Sequence, residues 1–494
     1  MAAVGAKTLF DIVRGAGTTR GGHVFVEDAR GDRRITYAQL RAAVDVWAGL
    51  WDARRVPSGA AVLVDVDDPL AFTAVHLAVI ASGRCAVPVD PDAPAGELAR
   101  TIRNTGTVLA VTDRRVRTGL PTVRVDVAAA LPLGAGPAGP GMPVRVPSHR
   151  GAVRLSTSGS TGDPKCVELD EGRLLHVAAA VAAHHRLGER DRGYNPLPLF
   201  HINAEVVALL ATLVSGGTLV LDRRFHRSGF WELLAGREVT WVNAVPAILT
   251  ILADGAEPPT LGPLRFVRSA SAPLPPEVRR RVQSMLAVPV VESYGMTEAA
   301  SQITATPLDG PTPAGSAGRP VGVALQVRRP DGTPAAGGEV GRVWIRGDGV
   351  IRGYVAGRAA DRFDADGWLD TGDLGRLDGD GFFFHAGRAD DVINRGGEMV
   401  YPREVEEALL GHPQVQEAVV VGRPHHVLGS VPVAYVLAAR RGRDRLVPEL
   451  ELLCERELSR FKRPAQFHVV DDLPRAPTGK IRRHELARAA RTGA

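Results

Sequence analysis

A chain of 494 residues is too long for one hydrophobic core, so two or more domains are expected. Its 45% hydrophobic and 23% charged residues are ordinary for a water-soluble globular protein, and a net charge of +5 spread along the chain gives no basic patch for nucleic acid. Cys85, Cys166 and Cys454 are odd in number and far apart, which argues against a disulfide or zinc framework and for a reducing, cytoplasmic compartment; no apolar run is long enough to span a bilayer, and Lys7, Asp11 and Arg14 stand where a signal peptide needs apolar residues.

In chain order, Thr36-Tyr37-Ala38-Gln39 is a capping box opening a helix whose Leu40, Val44, Trp47 and Trp51 share one face. Strands at 61–66, 85–89 and 108–111 alternate with helices at 70–80 and 97–104, the pattern of βαβ units and a parallel sheet. The Gly/Pro-rich stretch 128–148 reads as a surface connection.

An apolar strand then enters Ser158-Gly159-Ser160-Thr161-Gly162-Asp163-Pro164-Lys165. Gly159 and Gly162 can turn backbone N–H groups inward, the hydroxyls add donors, and Lys165 adds a compact charge, which together suit a polyphosphate. Lysine occurs at only four positions, Lys7, Lys165, Lys462 and Lys480, in a chain whose other cations are arginines. The Walker spacing is missing, and a Ser/Gly linker has the same composition.

Downstream, Asp170 caps a helix predicted over 171–185, Pro198-Leu199-Phe200-His201 leads into a helix over 204–213, and strands follow near 218–221, 240–243, 264–269 and 288–292. The last runs into Tyr294-Gly295-Met296-Thr297-Glu298, and residues 315–354 form a β-rich subdomain. Thr371-Gly372-Asp373 precedes a hairpin turning at 378–381. Gly387-Arg388-Ala389-Asp390-Asp391, Arg395-Gly396-Gly397-Glu398 and a small α/β unit follow, with Gly479-Lys480 on a loop before a basic helix.

Together these motifs resemble the adenylate-forming superfamily, in its acyl-CoA ligase branch, over nearly the whole chain. The resemblance implies an α/β fold: a large N-terminal domain, 1–389, of parallel-sheet βαβ layers with a β-rich subdomain, and a small mobile C-terminal α/β domain, 390–494, hinged near Asp390. It implies a ligase that joins a carboxylic acid to ATP, giving an acyl-adenylate, and passes the acyl group to CoA, with Mg²⁺ as cofactor. On it, Ser158, Gly159, Ser160, Thr161, Gly162 and Lys165 hold the phosphates, and Glu298 with Thr161 meets Mg²⁺. Tyr294 and Gly295 meet adenine, Thr297 the α-phosphate, and Asp373 with Arg388 the ribose. Lys480 bridges acid and α-phosphate, His201 gates the acyl pocket, and Gly396, Gly397 and Glu398 line the thiol tunnel. His201, Asn203, Glu205, Trp241, Asn243, Val245, Ser269, Ala270, Ser271, Glu292 and Gly295 form that pocket; its small residues Ala270, Ser271 and Gly295 leave room for a bulky or cyclic acid, and the sequence shows no fixed cation for a second carboxylate. Arg395, Arg423, Lys462 and Arg463 are candidates for the CoA phosphates. No nucleic acid or membrane span is implied; a homodimer is left open. Loading of a carrier protein, and non-catalytic binding of a nucleotide or acyl-adenylate, are the alternative functions.

The sequence departs from the superfamily where glycine normally follows the loop lysine and a hydroxyl–histidine pair comes later. Here stand Cys166, Asp170 and Glu171. If that position needs positive φ, Cβ strain and two carboxylates would weaken adenylation, leaving thioester formation from a supplied acyl-adenylate dominant. The other reading is that Cys166 begins a strand and Asp170 caps a helix.

Overall fold

The computed structural model describes residues 7–132, 147–157, 165–255, 258, 261–357, 359–438, 443–475 and 481–492. Two compact units are present. One comprises Met1–Ala314, Gly318–Ala324 and Arg346–Leu369; the other comprises Gly315–Ala317, Leu325–Ile345 and Asp370–Ala494. The position 389/390 falls inside the second of these.

The first unit contains two large sheets. In the seven-stranded one, Thr122–Asp126, Thr107–Thr112, Ala61–Asp65, Cys85–Pro88 and Ala152–Thr157 run parallel, as the alternating strand and helix pattern predicts. Lys165–Asp170 closes one edge antiparallel to Ala152–Thr157, with Ser156 opposite Cys166. The crossover helix Pro69–Ala81 is buried along its whole length and is capped by Asp68, whose carboxylate accepts from Ala71 N at 2.9 Å. Helix Tyr37–Ala53 carries the expected capping box, and Trp47 and Trp51 stack at 5.2 Å inside the core.

In the nine-stranded sheet, Val290–Met296, Phe266–Ser269, Trp241–Ala244, Arg192–Asn195, Thr218–Leu221 and Val24–Asp28 form a parallel centre. Their carboxyl ends bring Asn195, Asn243, Arg268, Ser269 and Ser293 together, the place where open α/β sheets bind ligands. The segment expected to be a helix over 204–213 is a π-helix, Asn203–Leu210, continued as an α-helix at Ala211–Ser215. Its Glu205 is fully buried and bonded to His76 Nε2 at 2.9 Å, which ties the π-helix to Pro69–Ala81.

The second unit pairs Ala324–Arg328, Gly341–Arg346, Leu369–Leu377 and Phe383–Arg388 in one sheet. Its other sheet is built on Val415–His425 and Gly429–Ala438, whose alternating faces bury two layers. Val405, Leu409, Leu446 and Leu450 pack on Val420, Ala434 and Val436; Leu486 and Ala490 pack on Val419, Val433 and Tyr435. Among the described residues no helix is long and apolar enough to cross a membrane, and no group of three metal-ligating side chains is assembled.

Candidate active site

The strand Val290–Met296 carries the Tyr-Gly-Met motif and ends in a 3₁₀ turn, Thr297–Ala299. A Cβ on Gly295 would lie 1.6 Å from the carbonyl oxygen of Ser301 on the neighbouring strand, so only glycine lets these strands approach beneath half-buried Tyr294. Glu298 follows, 7% exposed, and its Oε1 accepts a hydrogen bond from the Tyr354 hydroxyl at 2.8 Å. Arg362 donates to the same hydroxyl at 2.9 Å and lies 3.9 Å from the Glu298 carboxylate. Lys165, the first residue of the strand Lys165–Asp170, sits 5.3 Å from the Tyr354 ring centroid. Lys165 and Glu298, distant in sequence, are thus gathered on one buried tyrosine. Tyr354 and Arg362 were not singled out from sequence; the Gly-Tyr pair closing the β-rich stretch was the available signal.

Residues Ser158, Gly159, Ser160, Thr161, Gly162 and Lys480 lie outside the described residues. A buried carboxylate is a hard oxygen donor of the kind Mg²⁺ takes together with phosphate oxygens, so Glu298 could hold the ion if it arrives with a nucleotide whose phosphates offset the nearby Arg362.

Cys166 lies in the extended ladder opposite Ser156, 5% exposed, and is not among the residues with positive φ. The condition for Cβ strain is therefore absent, and burial pushes its thiol up to about 11. Asp170 caps the helix Glu171–His184, accepting from Arg173 N at 3.0 Å. Glu171 is buried, accepts from Leu9 N at 2.9 Å, and has its carboxyl raised by burial. Both carboxylates are committed to helix N-termini.

Half-buried His201 packs its ring 4.5 Å from that of Phe200, two residues before Asn203. Asn203 Nδ2 donates to the exposed Ser271 Oγ at 3.4 Å. Ser271 has φ +74°, and Ala270 beside it is buried. Asn243 Nδ2 donates to Asn195 at 2.9 Å. Two residues named for the acyl pocket are placed elsewhere: Trp241 is core, 1% exposed and stacked 5.8 Å from Phe266, and Glu205 is spent on His76. Glu292 is ion-paired with Arg279 at 3.1 Å. A cation that the sequence reading did not name, Arg268, lies beside Asn203 and Asn243. Its guanidinium is buried among the acyl-side residues, donating to Asn203 and Asn243. Strand alternation alone could not place an arginine inside.

In the second unit, Asp373 and Arg388 face each other across paired strands. Arg388 Nη1 donates to Asp373 Oδ1 at 2.9 Å and to Thr371 O at 3.1 Å. Gly396 and Gly397, at φ +64° and +94°, form a two-residue hairpin turn between Arg395 and Glu398, the primed geometry that glycine allows. Asp390 is exposed in the short turn Ala389–Asp391. The basic residues offered for the CoA phosphates have partners of their own. Arg395 donates to the carbonyls of Arg460, Phe461 and Arg463, Arg423 to Gln466, Arg463 to Leu458 and Glu455 carbonyls, and Lys462 pairs with Glu404.

The AMP-binding enzyme family matches residues 14–355, and the AMP-binding enzyme C-terminal domain matches residues 404–480. The chain is 43% identical over 338 residues to sulfoacetate–CoA ligase of Cupriavidus necator, which covers 68% of this chain and 66% of that enzyme. It is 33% identical over 488 residues to a probable CoA ligase of Humulus lupulus, covering 92% of each. In structure it is similar to o-succinylbenzoate CoA synthetase of Bacillus subtilis in complex with its acyl-adenylate intermediate, with TM-score 0.84, 28% identity, and 96% of this chain and 97% of that one covered. The chain belongs to the AMP-binding enzymes, in the acyl-CoA ligase branch of the adenylate-forming superfamily.

Proposed function

We propose that this enzyme joins a carboxylic acid to CoA through an acyl-adenylate and carries out both half-reactions. The observation that carries the reading is the gathering of Lys165 and Glu298 around Tyr354, beside the strand end that holds the Tyr-Gly-Met-Thr-Glu motif. In the first step a carboxylate oxygen bonds to the α-phosphorus of ATP as the bond to pyrophosphate breaks. Two anions must meet, so the barrier is lowered by fixed cations and donors aimed at the phosphates. Lys165 and Thr297 supply these from described segments, and Lys480 is the third candidate. Mg²⁺, held by Glu298, would add charge neutralisation on the phosphate oxygens. In the second step the CoA sulfur bonds to the acyl carbon as the acyl–oxygen bond breaks and AMP leaves. Rotation of the C-terminal domain about Asp390 would exchange Lys480 for the Gly396–Gly397 turn between the steps.

The extended backbone at Cys166 and the capping roles of Asp170 and Glu171 support full adenylation rather than a ligase reduced to its second half. Sulfoacetate and o-succinylbenzoate, in the names of two relatives, each carry a second acidic group, so acids of that kind head the test panel. Incubation with ATP, Mg²⁺, CoA and each acid, followed by mass spectrometry, should show acyl-CoA and AMP. Acylation of a phosphopantetheine carrier protein without any acyl-CoA would contradict CoA as the acceptor.

A further inference from the structure

Arg268 is 1% exposed on the strand Phe266–Ser269, and among the described residues every hydrogen-bond partner of its guanidinium is neutral. Nη1 donates to Asn203 Oδ1 at 2.8 Å and Asn243 Oδ1 at 3.1 Å; Nη2 donates to Ser293 Oγ at 2.7 Å and Gln302 Oε1 at 3.3 Å. A buried arginine ordinarily sits against a carboxylate, because an unpaired buried charge is costly. Burial pushes the group down to about 9, and among the described residues no carboxylate pairs with it.

A guanidinium cannot accept a hydrogen bond, so it fixes how its neighbours face. The amide oxygens of Asn203, Asn243 and Gln302 turn toward it, and their NH₂ groups turn away. Ser293 accepts from it and keeps its O–H to donate. Asn243 spends its NH₂ on Asn195, but Gln302 Nε2 is buried without a partner among the described residues, and Asn203 Nδ2 has only the 3.4 Å bond to Ser271. Ser271 is exposed, so the cluster reaches solvent at the turn that follows the strand. The net result is a buried positive charge whose neutral neighbours Asn203, Ser293 and Gln302 keep N–H and O–H groups to donate.

We propose that Arg268, with Asn203, Ser293 and Gln302, holds a second anionic group of the acid, a carboxylate or sulfonate, so that the enzyme takes small dianionic acids and refuses the matching monoacids. The proposal rests on the CoA ligase reading, since it names that reaction's substrate class. Asn203, two residues beyond His201, places the cradle on the acyl side.

The test is pyrophosphate–ATP exchange with oxalate, malonate, succinate, phthalate and sulfoacetate against acetate, propionate, butyrate and benzoate, with calorimetric binding of the same acids to the full chain. The natural enzyme should prefer a diacid over its monoacid by roughly 100-fold or more in kcat/KM. Whether sulfoacetate or a dicarboxylate leads tells which anion the cradle takes. Arg268→Gln should abolish the preference. Gln302→Glu should do the same while keeping Tm near the natural value, because it gives the guanidinium an isosteric counter-ion. Equal exchange with monoacids, or an unchanged preference in folded Gln302→Glu, would overturn the anion site and leave the ligase reading standing. If no acid supports exchange, the ligase reading fails and calorimetry decides the cradle: diacid binding lost in Gln302→Glu supports it, and absence of diacid binding overturns it.

Discussion

Tyr354 connects Lys165 and Glu298, the cation and the carboxylate proposed for adenylation, although its own chemistry is inert. Tyr354→Phe keeps the ring under Lys165 and removes the hydroxyl that orients Glu298. A hydrogen bond to a charged group contributes about 1.5 kcal/mol, so pyrophosphate exchange should slow about tenfold. Thioester formation from a synthetic acyl-adenylate should change less than about twofold. Equal losses in both assays would make Tyr354 a folding residue only. His185 packs edge-on against Phe266, on the strand that carries Arg268. Burial first, then the field of Arg268, holds its imidazole well below 6.5. The unfolded chain therefore binds a proton that the folded chain does not. Stability is full above about pH 6.5 and falls below it by up to about 1.4 kcal/mol per pH unit. Neighbouring His184 is lowered by burial too and adds in the same direction. Melting temperatures from pH 8 to 5 should fall, and His185→Gln should flatten the fall; identical slopes would contradict this. Neither Arg268 nor Tyr354 was legible as a site residue in the sequence. An arginine in a four-residue strand alternates outward by default, and it becomes a buried cation only when Asn203, Asn243 and Gln302 arrive from other segments. The pairing of Asp373 with Arg388 was legible, because their motifs flank one hairpin and meet in register.

At the scale of elements, the extended ladder at Cys166 favours the reading in which that residue simply begins a strand. A buried residue in an extended ladder has nothing to gain from glycine. Cys166→Gly should lower stability by about 1–2 kcal/mol through strand entropy and lost packing, with no increase in pyrophosphate exchange. A gain in exchange would restore the view that Cys166 impairs adenylation. The capping box at Thr36, the cap at Asp170 and the parallel βαβ run were all readable, since each depends on residues within one turn or one strand period. The π-helix was not. Its apolar run from Ala204 to Leu210 is compatible with a 3.6-residue period, and the buried bond from Glu205 to His76 in a distant helix has no local signature.

For the whole molecule, the sequence order of motifs gave the superfamily, and the sheets explain why that order works. Parallel strands of the nine-stranded sheet deliver the residues proposed for the acyl side to one set of carboxyl ends, while the Asp373–Arg388 pair proposed for the ribose and the Gly396–Gly397 turn are built in the second unit. The central claim is that one chain performs both halves of acid activation, and the most direct measurement runs pyrophosphate–ATP exchange beside CoA thioester formation from a synthetic acyl-adenylate, in the natural enzyme and in Lys480→Ala. Exchange and thioester formation are both expected in the natural enzyme. Lys480→Ala should lose exchange by roughly 100-fold or more and retain thioester formation. Thioester formation without exchange in the natural enzyme, across acids that bind, would contradict the account and leave a ligase of the second half-reaction alone.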